Sequence, residues 1–311
     1  MSKDDPDGTP SVGAGASWAW VHDRPASGSE FDVPGVVDTR TPNIARVYDY
    51  WLGGKDHFAA DRALGDRVRE AVPGIADGVR ANRAFLARAV TELARAGVDQ
   101  FLDLGAGIPT SPNVHEIAQA VDPRTRVLYV DHDPVVLANA RALLAVDRTI
   151  RVVAGDLRDP VSVLGDEVVL EHLDWDRPVA VLLVAVLHFL ADPEAAALLD
   201  AVAAALRGAG GVIVVSHVTP VDRADTARAE RMDEAVALYN AQAGRFVPRT
   251  RAQLDALLAG WQLLPPGLVR VTDWRPGGGT APEGSAPDRA VRPVPVLAAV
   301  ATPTPPDGGP R

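Results

Sequence analysis

Residues 101–110 read FLDLGAGIPT, and the fold of the chain turns on how this stretch is taken. A short apolar run ends in an acid, Asp103, and two glycines one residue apart, Gly105 and Gly107. A helical pattern follows within ten residues, over 112–121. Strand, glycine turn and helix in this order mark a strand end that holds a nucleotide or nucleoside. The dinucleotide version carries a third glycine, yet Pro109 and Thr110 stand where it belongs.

Outward from this turn, strands and helices alternate. QFLDL (100–104) leads to a helix over 112–121, VLYVD (127–131) to PVVLANARALLA, and IRVVAGD (150–156) to a helical stretch near 166–173. PVAVLLVAVLHFL (178–190) precedes PEAAALLDAVAAALR, and GVIVVSHV (211–218) precedes the charged segment 222–243. Near-continuously apolar strands between helices predict a parallel α/β sheet covered on both faces. After TRAQLDALLAG come WQLLPPGLVRVTDW, a glycine/proline-rich gap at 275–289 and VRPVPVLAAVATP. Two strands joined without a helix pair antiparallel if they are neighbours. Upstream, 40–97 is helical: TPNIARVYDYWLGG offers Thr41 as N-cap, Pro42 at the first helical position and Gly53-Gly54 as a stop. A second helix carries Val79, Phe85, Leu86, Val90 and Leu93 at helical spacing and ends at Gly97.

The chain of 311 residues is 47% hydrophobic, enough for a sizeable core. It has no cysteine, which excludes disulfides, thiolate metal sites and a cysteine nucleophile. A net charge of −10 speaks against nucleic acid as a general partner. The N-terminus lacks a signal-peptide layout, and the longest apolar run, 178–190, is too short to span a bilayer. The expectation is a soluble cytoplasmic protein with no membrane partner and a small-molecule substrate. The expected organisation is a disordered tail at 1–35, a helical cap or lid at 36–98, a nucleoside-binding domain at 99–302 and a disordered tail at 303–311.

Charge discriminates among nucleotides. A pyrophosphate is held by backbone N–H groups and a helix N-terminus, and a carboxylate beside it is unfavourable. S-adenosylmethionine carries no phosphate but has an ammonium and a sulfonium, and Asp103 beside bare glycine backbone matches that distribution. Alternatively, Asp103 merely bonds the amides of its own turn. Asp131, at the tip of the next strand in YVDHDP (129–134), is placed for ribose hydroxyls, whereas Asp133 before Pro134 has the chemistry of an N-cap. Asp156 in GDL (155–157) is placed for an adenine amino group, with the Leu157 N–H donating to the ring; the other reading of Asp156 is a cap.

These motifs in this order resemble a class I S-adenosylmethionine-dependent methyltransferase: DLGAG its first motif, YVDHDP its second, GDL its third, AVLHFL the end of its fourth strand and GAGGVIVVSH its fifth. TPNIARVYDYWLGGKDHFAADR (41–62), RANRAFLARAV (80–90) and QFLDLGAGIPTSPNVHEIAQ (100–119) resemble, more narrowly, a bacterial family of S-adenosyl methyltransferases with an N-terminal LGGKD segment. The resemblance implies a Rossmann-like fold with a seven-stranded, mostly parallel sheet whose last strand is antiparallel. It also implies S-adenosyl-L-methionine as cofactor, held by Asp103, Gly105, Ala106, Gly107, Asp131, His132, Asp156 and Leu157.

Methyl transfer needs positioning and, for an O or N acceptor, removal of a proton, so no triad or metal box is required. His188 is the candidate base at the tip of the fourth strand; the alternative is a buried histidine bonded to backbone. Around Gly53-Gly54-Lys55 cluster Tyr48, Tyr50, Trp51, His57 and Phe58. This cluster is either a helix stop with an aromatic core or a lid in which Tyr48 faces the cofactor and Lys55 or Arg46 pairs its carboxylate. Asn82 and Arg83 either join that surface or lie on an exposed helix face. Arg245 and Arg249 are either a substrate-pocket rim or a solvated loop. Two other functions share the ribose acid: a non-catalytic S-adenosylmethionine-binding protein, and an NAD(P)-dependent oxidoreductase, which would normally show the fuller glycine pattern.

Overall fold

A computed structural model describes residues 38–144, 148–208, 210–276 and 295–305. The predicted tail at 1–35, residues 306–311 of the predicted tail at 303–311, and residues 277–289 of the predicted gap lie outside the described residues; Pro303, placed in that tail, closes the last strand.

Five strands run parallel in the order β3-β2-β1-β4-β5: β1 (Gln100–Leu104), β2 (Arg126–Asp131), β3 (Ile150–Ala154), β4 (Ala180–Val184) and β5 (Val212–Val218). The chain steps from β1 outward to β2 and β3, then crosses to the far side of β1 for β4. The order reverses between β1 and β4, and the crevice at their carboxyl ends is where α/β sheets bind ligands. The predicted antiparallel pairing holds. The final strand β8 (Val296–Pro303) pairs antiparallel with β5, and β6 (Trp261–Leu263) and the two-residue β7 (Val269–Arg270) pair antiparallel with β8. Pro265 and Pro266 lie between β6 and β7 and offer no N–H to a ladder, so WQLLPPGLVRVTDW forms two short strands.

Alternation along the strands splits the core in two. Phe101, Val127, Leu182 and Val214 face α3 (Ile75–Arg95), α4 (Val114–Gln119) and α5 (Pro134–Leu144). Leu102, Leu104, Val181 and Ile213 face α6 (Pro160–Leu164), α7 (Glu167–His172) and α8 (Asp192–Leu206). Each such side chain contributes about 1.5–3 kcal/mol on burial. The helical pattern of α3 buries Val79, Phe85, Leu86, Val90 and Leu93, as predicted. Phe85 meets the Trp274 ring edge-on at 5.4 Å, and Arg88 donates to the Trp274 and Val271 carbonyls, tying α3 to the far edge of the sheet.

A third apolar cluster joins α1 (Ile44–Leu52) and α2 (Ala59–Ala71) to α9 (Thr226–Gln242) through Val47, Trp51, Leu64, Val68, Ala235 and Tyr239. It lies beside the carboxyl-end crevice. Thr250 caps the short α10 (Arg251–Leu257). No described helix is long and apolar enough to cross a membrane.

Two details differ from the sequence reading. Helix α1 is capped by Asn43, whose side chain accepts from the Ala45 and Arg46 N–H groups, and not by Thr41. Strand β4 stops at Val184, because Ala185 turns into the left-handed region (φ 59°) and Leu187–Phe189 form a 3-10 turn. His188 therefore sits in that turn and not on a strand tip.

Candidate functional site

Beyond the ends of β1, β2 and β3 opens a cavity of about 480 Å³. Residue alternation sends Asp103 to the same sheet face as Phe101, under α3, where Arg83 also lines the cavity. Gly105 and Gly107 turn the chain with φ of 74° and 65°, and a Cβ on Gly105 would lie 2.7 Å from Val186. The Gly105 and Ala106 N–H groups donate to the Val130 carbonyl at 2.8 and 3.1 Å, while the Gly107 N–H donates to Asp131 Oδ2 at 2.9 Å. Among the described residues, none donates a hydrogen bond to the Asp103 carboxylate, so the reading in which it bonds its own turn does not hold. Burial pushes Asp103 up to about 7; Arg83 pulls it down and Asp131 pushes it further up.

Asp131 ties two turns together, because its Oδ1 accepts from the Asp133 N–H at 2.9 Å. Burial raises its pKa against these N–H contacts. Asp133 caps α5 by accepting from the Val135 and Val136 N–H groups at 2.7 and 3.1 Å. Its other oxygen accepts from Asn43 Nδ2, which fastens the start of α1 to the second motif. Asp156 pairs with Arg158, which holds its carboxyl down at about 2.

Of the predicted cofactor residues, Asp103, Gly105, Ala106, Gly107, Asp131, His132, Asp156, Leu157 and Tyr48 line this one cavity. Lys55 and His188 do not. Lys55 is exposed, just past the end of α1. The LGGKD segment is a helix stop: Asp49 Oδ2 accepts from the Asp56 N–H and contacts His57 Nδ1, each at 3.0 Å. A Cβ on Gly54 would fall 1.9 Å from Asp49 Oδ1. Arg46 is likewise not available to a ligand. It is buried against Asp61 at 3.0 Å and donates to the Asp38 and Thr41 carbonyls. Arg83, beside Asp103, does line the cavity, as do Arg158 and Arg245; Arg83 also donates to the Thr110 and Pro112 carbonyls. Asn43 and the Glu194–Arg245 pair (2.6 Å) line the cavity as well; of these the sequence reading named only Arg245, as a substrate-pocket rim or a solvated loop.

A second cavity, of about 70 Å³, lies against the first. Tyr48, Asn82, Ala185 and Phe189 line both. His188 lines only the second. Its burial, with Arg249 and His217 nearby, lowers its pKa well below the ordinary histidine range, so the imidazole is neutral. Arg249 is neither rim nor solvated loop: it is buried, donates to the Leu187 and Leu190 carbonyls, and pairs with Asp192 at 2.7 Å. It fixes both ends of the turn that carries His188. His217 Nδ1 donates to the Val218 carbonyl, and its Nε2 lies 3.0 Å from Arg249 Nη1.

A parallel sheet with an antiparallel last strand, and acids at three consecutive strand ends around one cavity, define a class I methyltransferase. The chain belongs to the S-adenosyl methyltransferase family, whose model matches residues 32–302, and its cofactor is S-adenosyl-L-methionine. The chain is similar to a Thermobifida fusca YX protein of known crystal structure that carries a provisional methyltransferase designation. The two share 36% identity over 86% of this chain and 97% of that one, with a TM-score of 0.75. It is similar also to a DUF574 family protein from Streptomyces avermitilis MA-4680, at 35% identity over 86% of this chain and 100% of that one, TM-score 0.75. No curated protein matches the chain. The donor set fits the cofactor: a buried carboxylate without a hydrogen-bond partner among the described residues needs a cation, and the cavity brings it together with glycine backbone and a second acid.

Proposed function

We propose that this protein transfers the methyl group of S-adenosylmethionine to an oxygen or nitrogen of a small molecule held in the second cavity. The observation that carries this reading is Asp103, a buried carboxylate that faces the large cavity with its lone pairs unused. A ligand ammonium supplies the missing donors, and an anionic pyrophosphate would be repelled. Asp131 accepts from ribose hydroxyls. Asp156 and the Leu157 N–H take the adenine, with His132 beside them. Tyr48 and Arg83 close the cavity from the α1/α3 side, Arg83 taking the carboxylate-pairing part first assigned to Lys55 or Arg46.

S-adenosylmethionine supplies a methyl carbon on a positive sulfur; the acceptor's lone pair bonds to that carbon, the C–S electron pair stays on sulfur, and the acceptor sheds a proton. His188 takes that proton. A neutral imidazole in a cavity that shares a wall with the cofactor's has a free lone pair for it. Helices α1 and α3 act as a lid that keeps water from the junction.

The test is methyl-labelled S-adenosylmethionine offered with phenols, amines, thiols, protein and nucleic acid. Label on oxygen or nitrogen of a small molecule is expected; label only on sulfur, or only on macromolecules, overturns the proposal. Asp131→Ala is expected to weaken S-adenosylhomocysteine binding more than about tenfold, through charge-assisted hydrogen bonds of roughly 1.5–3 kcal/mol. Unchanged affinity in calorimetry would refute the ribose assignment.

A further inference from the structure

The LGGKDH stretch (52–57) does more than stop α1: it closes around one side chain, Asp49. The Gly54 N–H donates to the Asp49 carbonyl at 2.9 Å, and the Asp56 N–H donates to Asp49 Oδ2 at 3.0 Å. A carboxylate only accepts, so His57 Nδ1, 3.0 Å from the same Oδ2, carries its hydrogen toward it. A Cβ on Gly54 would fall on the carboxylate, so glycine is what lets the loop close this tightly.

Asp49 is 3% exposed and lies on the face of α1 that lines the large cavity, with Ile44, Ala45, Tyr48 and Leu52. The loop occupies its Oδ2. Its Oδ1 takes no hydrogen bond among the described residues and is not one of their fully enclosed unpartnered atoms, so it is open to the cavity that Asp49 lines. The other acids around this cavity have partners or a ligand group already. Asp156 pairs with Arg158 and Glu194 with Arg245, while Asp131 and Asp133 each accept two backbone N–H groups. S-adenosylmethionine carries two cations and one anion. With Asp103 on its ammonium and Arg83 on its carboxylate, the sulfonium is left, and so is Asp49.

We infer that Asp49 is the counter-charge of the sulfonium and the residue by which the protein tells S-adenosylmethionine from S-adenosylhomocysteine; this rests on the methyl-transfer reading above. Tyr48, its neighbour on α1, lines both cavities, whereas Asp49 lines only the large one. In that reading the methyl group crosses beside Tyr48, so the sulfur stands on the cofactor side of it, where Asp49 lies. As the acceptor's lone pair bonds to the methyl carbon, the C–S pair stays on sulfur, the acceptor sheds its proton and the sulfur becomes neutral. Asp49 then faces no cation and is an uncompensated buried charge. The product is therefore held less tightly than the cofactor it came from, and turnover loosens its own product.

The test is calorimetric titration of the full chain at pH 8 with S-adenosylmethionine, S-adenosylhomocysteine and sinefungin, in which an amine-bearing carbon replaces the methylated sulfur and restores a cation. S-adenosylmethionine and sinefungin are each expected to bind at least about fivefold more tightly than S-adenosylhomocysteine, the effect of one buried counter-charge. Asp49→Asn, which keeps an oxygen for the Asp56 N–H, should bring the three within about twofold of one another. Asp103→Asn should weaken all three and preserve the preference, because all three carry the ammonium. An acid that served only the helix stop would leave the preference standing in Asp49→Asn. The assignment is overturned by wild-type S-adenosylhomocysteine binding as tightly as S-adenosylmethionine, by sinefungin grouping with S-adenosylhomocysteine, or by a preference that survives in Asp49→Asn. Should that variant fail to fold or to bind, the wild-type comparison decides alone. Failure of all three to bind the wild type sinks the methyl-transfer reading instead.

Discussion

Asp103→Asn separates what the protein gives up in stability from what it gains in binding. The Asp103 carboxyl is buried and pushed from 3.8 up to about 7. Between those values the folded chain holds a proton that the unfolded chain has released. This contribution to stability is complete below about pH 3.8 and is lost as the pH rises through about 7. The full displacement is worth roughly 4 kcal/mol. At pH 8.5 the carboxylate is therefore a burden on the unliganded protein, and the asparagine variant is freed of it. Even half that amount, about 2 kcal/mol, raises Tm by roughly 4–8 °C in a domain of this size. At pH 3.5, where both states hold the proton, the two proteins should melt close together. S-adenosylhomocysteine should reverse the order at pH 8.5, because only the wild type offers its ammonium a counter-charge. The assay is a thermal melt at both pH values with and without S-adenosylhomocysteine, alongside calorimetric affinities. A variant less stable than wild type at pH 8.5, or one that binds S-adenosylhomocysteine equally well, would refute the argument.

Gly54→Ala should cost about 1–3 kcal/mol in urea unfolding, because its Cβ would displace the Asp49 carboxylate and break its bonds to Asp56 and His57; an unchanged midpoint would contradict this. Asn43→Ala removes both the α1 cap and the link to Asp133 and should cost about 1–2 kcal/mol, read as a lower urea midpoint at constant slope. Arg249→Met strips donors from two carbonyls and a histidine at once and should cost about 3 kcal/mol or more. A loss below 1 kcal/mol would mean that the His188 turn stands without it.

The sheet was legible because its strands are short apolar runs and their parallel direction follows from helical connections. The convergence on the large cavity was legible for a related reason: residues at the ends of β1, β2 and β3 must meet wherever those strands are adjacent, and Asp103, Asp131 and Asp156 all line it. Strand β4 was misjudged in length because a buried 3-10 turn is as apolar as a strand, and the left-handed Ala185 that ends the strand carries no sequence signal. Arg46 and Arg249 read as candidate ligand contacts because arginine is normally solvated. Their partners, Asp61 for the one and Asp192 with the Leu187 carbonyl for the other, lie 15 to 62 residues away in the chain. The two cavities share a wall drawn from α1, α3 and the turn after β4, and no single stretch of sequence announces that.

The central claim is that the cavity at the ends of β1–β3 takes a cationic sulfur nucleoside and not a dinucleotide. Parallel calorimetric titration with S-adenosylmethionine, S-adenosylhomocysteine and NAD(H) tests it most directly. Binding of both sulfur nucleosides at one site per chain, with affinity that rises between pH 6 and 8 as Asp103 ionises and no heat from NAD(H), is the predicted result. Binding of NAD(H) with neither sulfur nucleoside bound would contradict it.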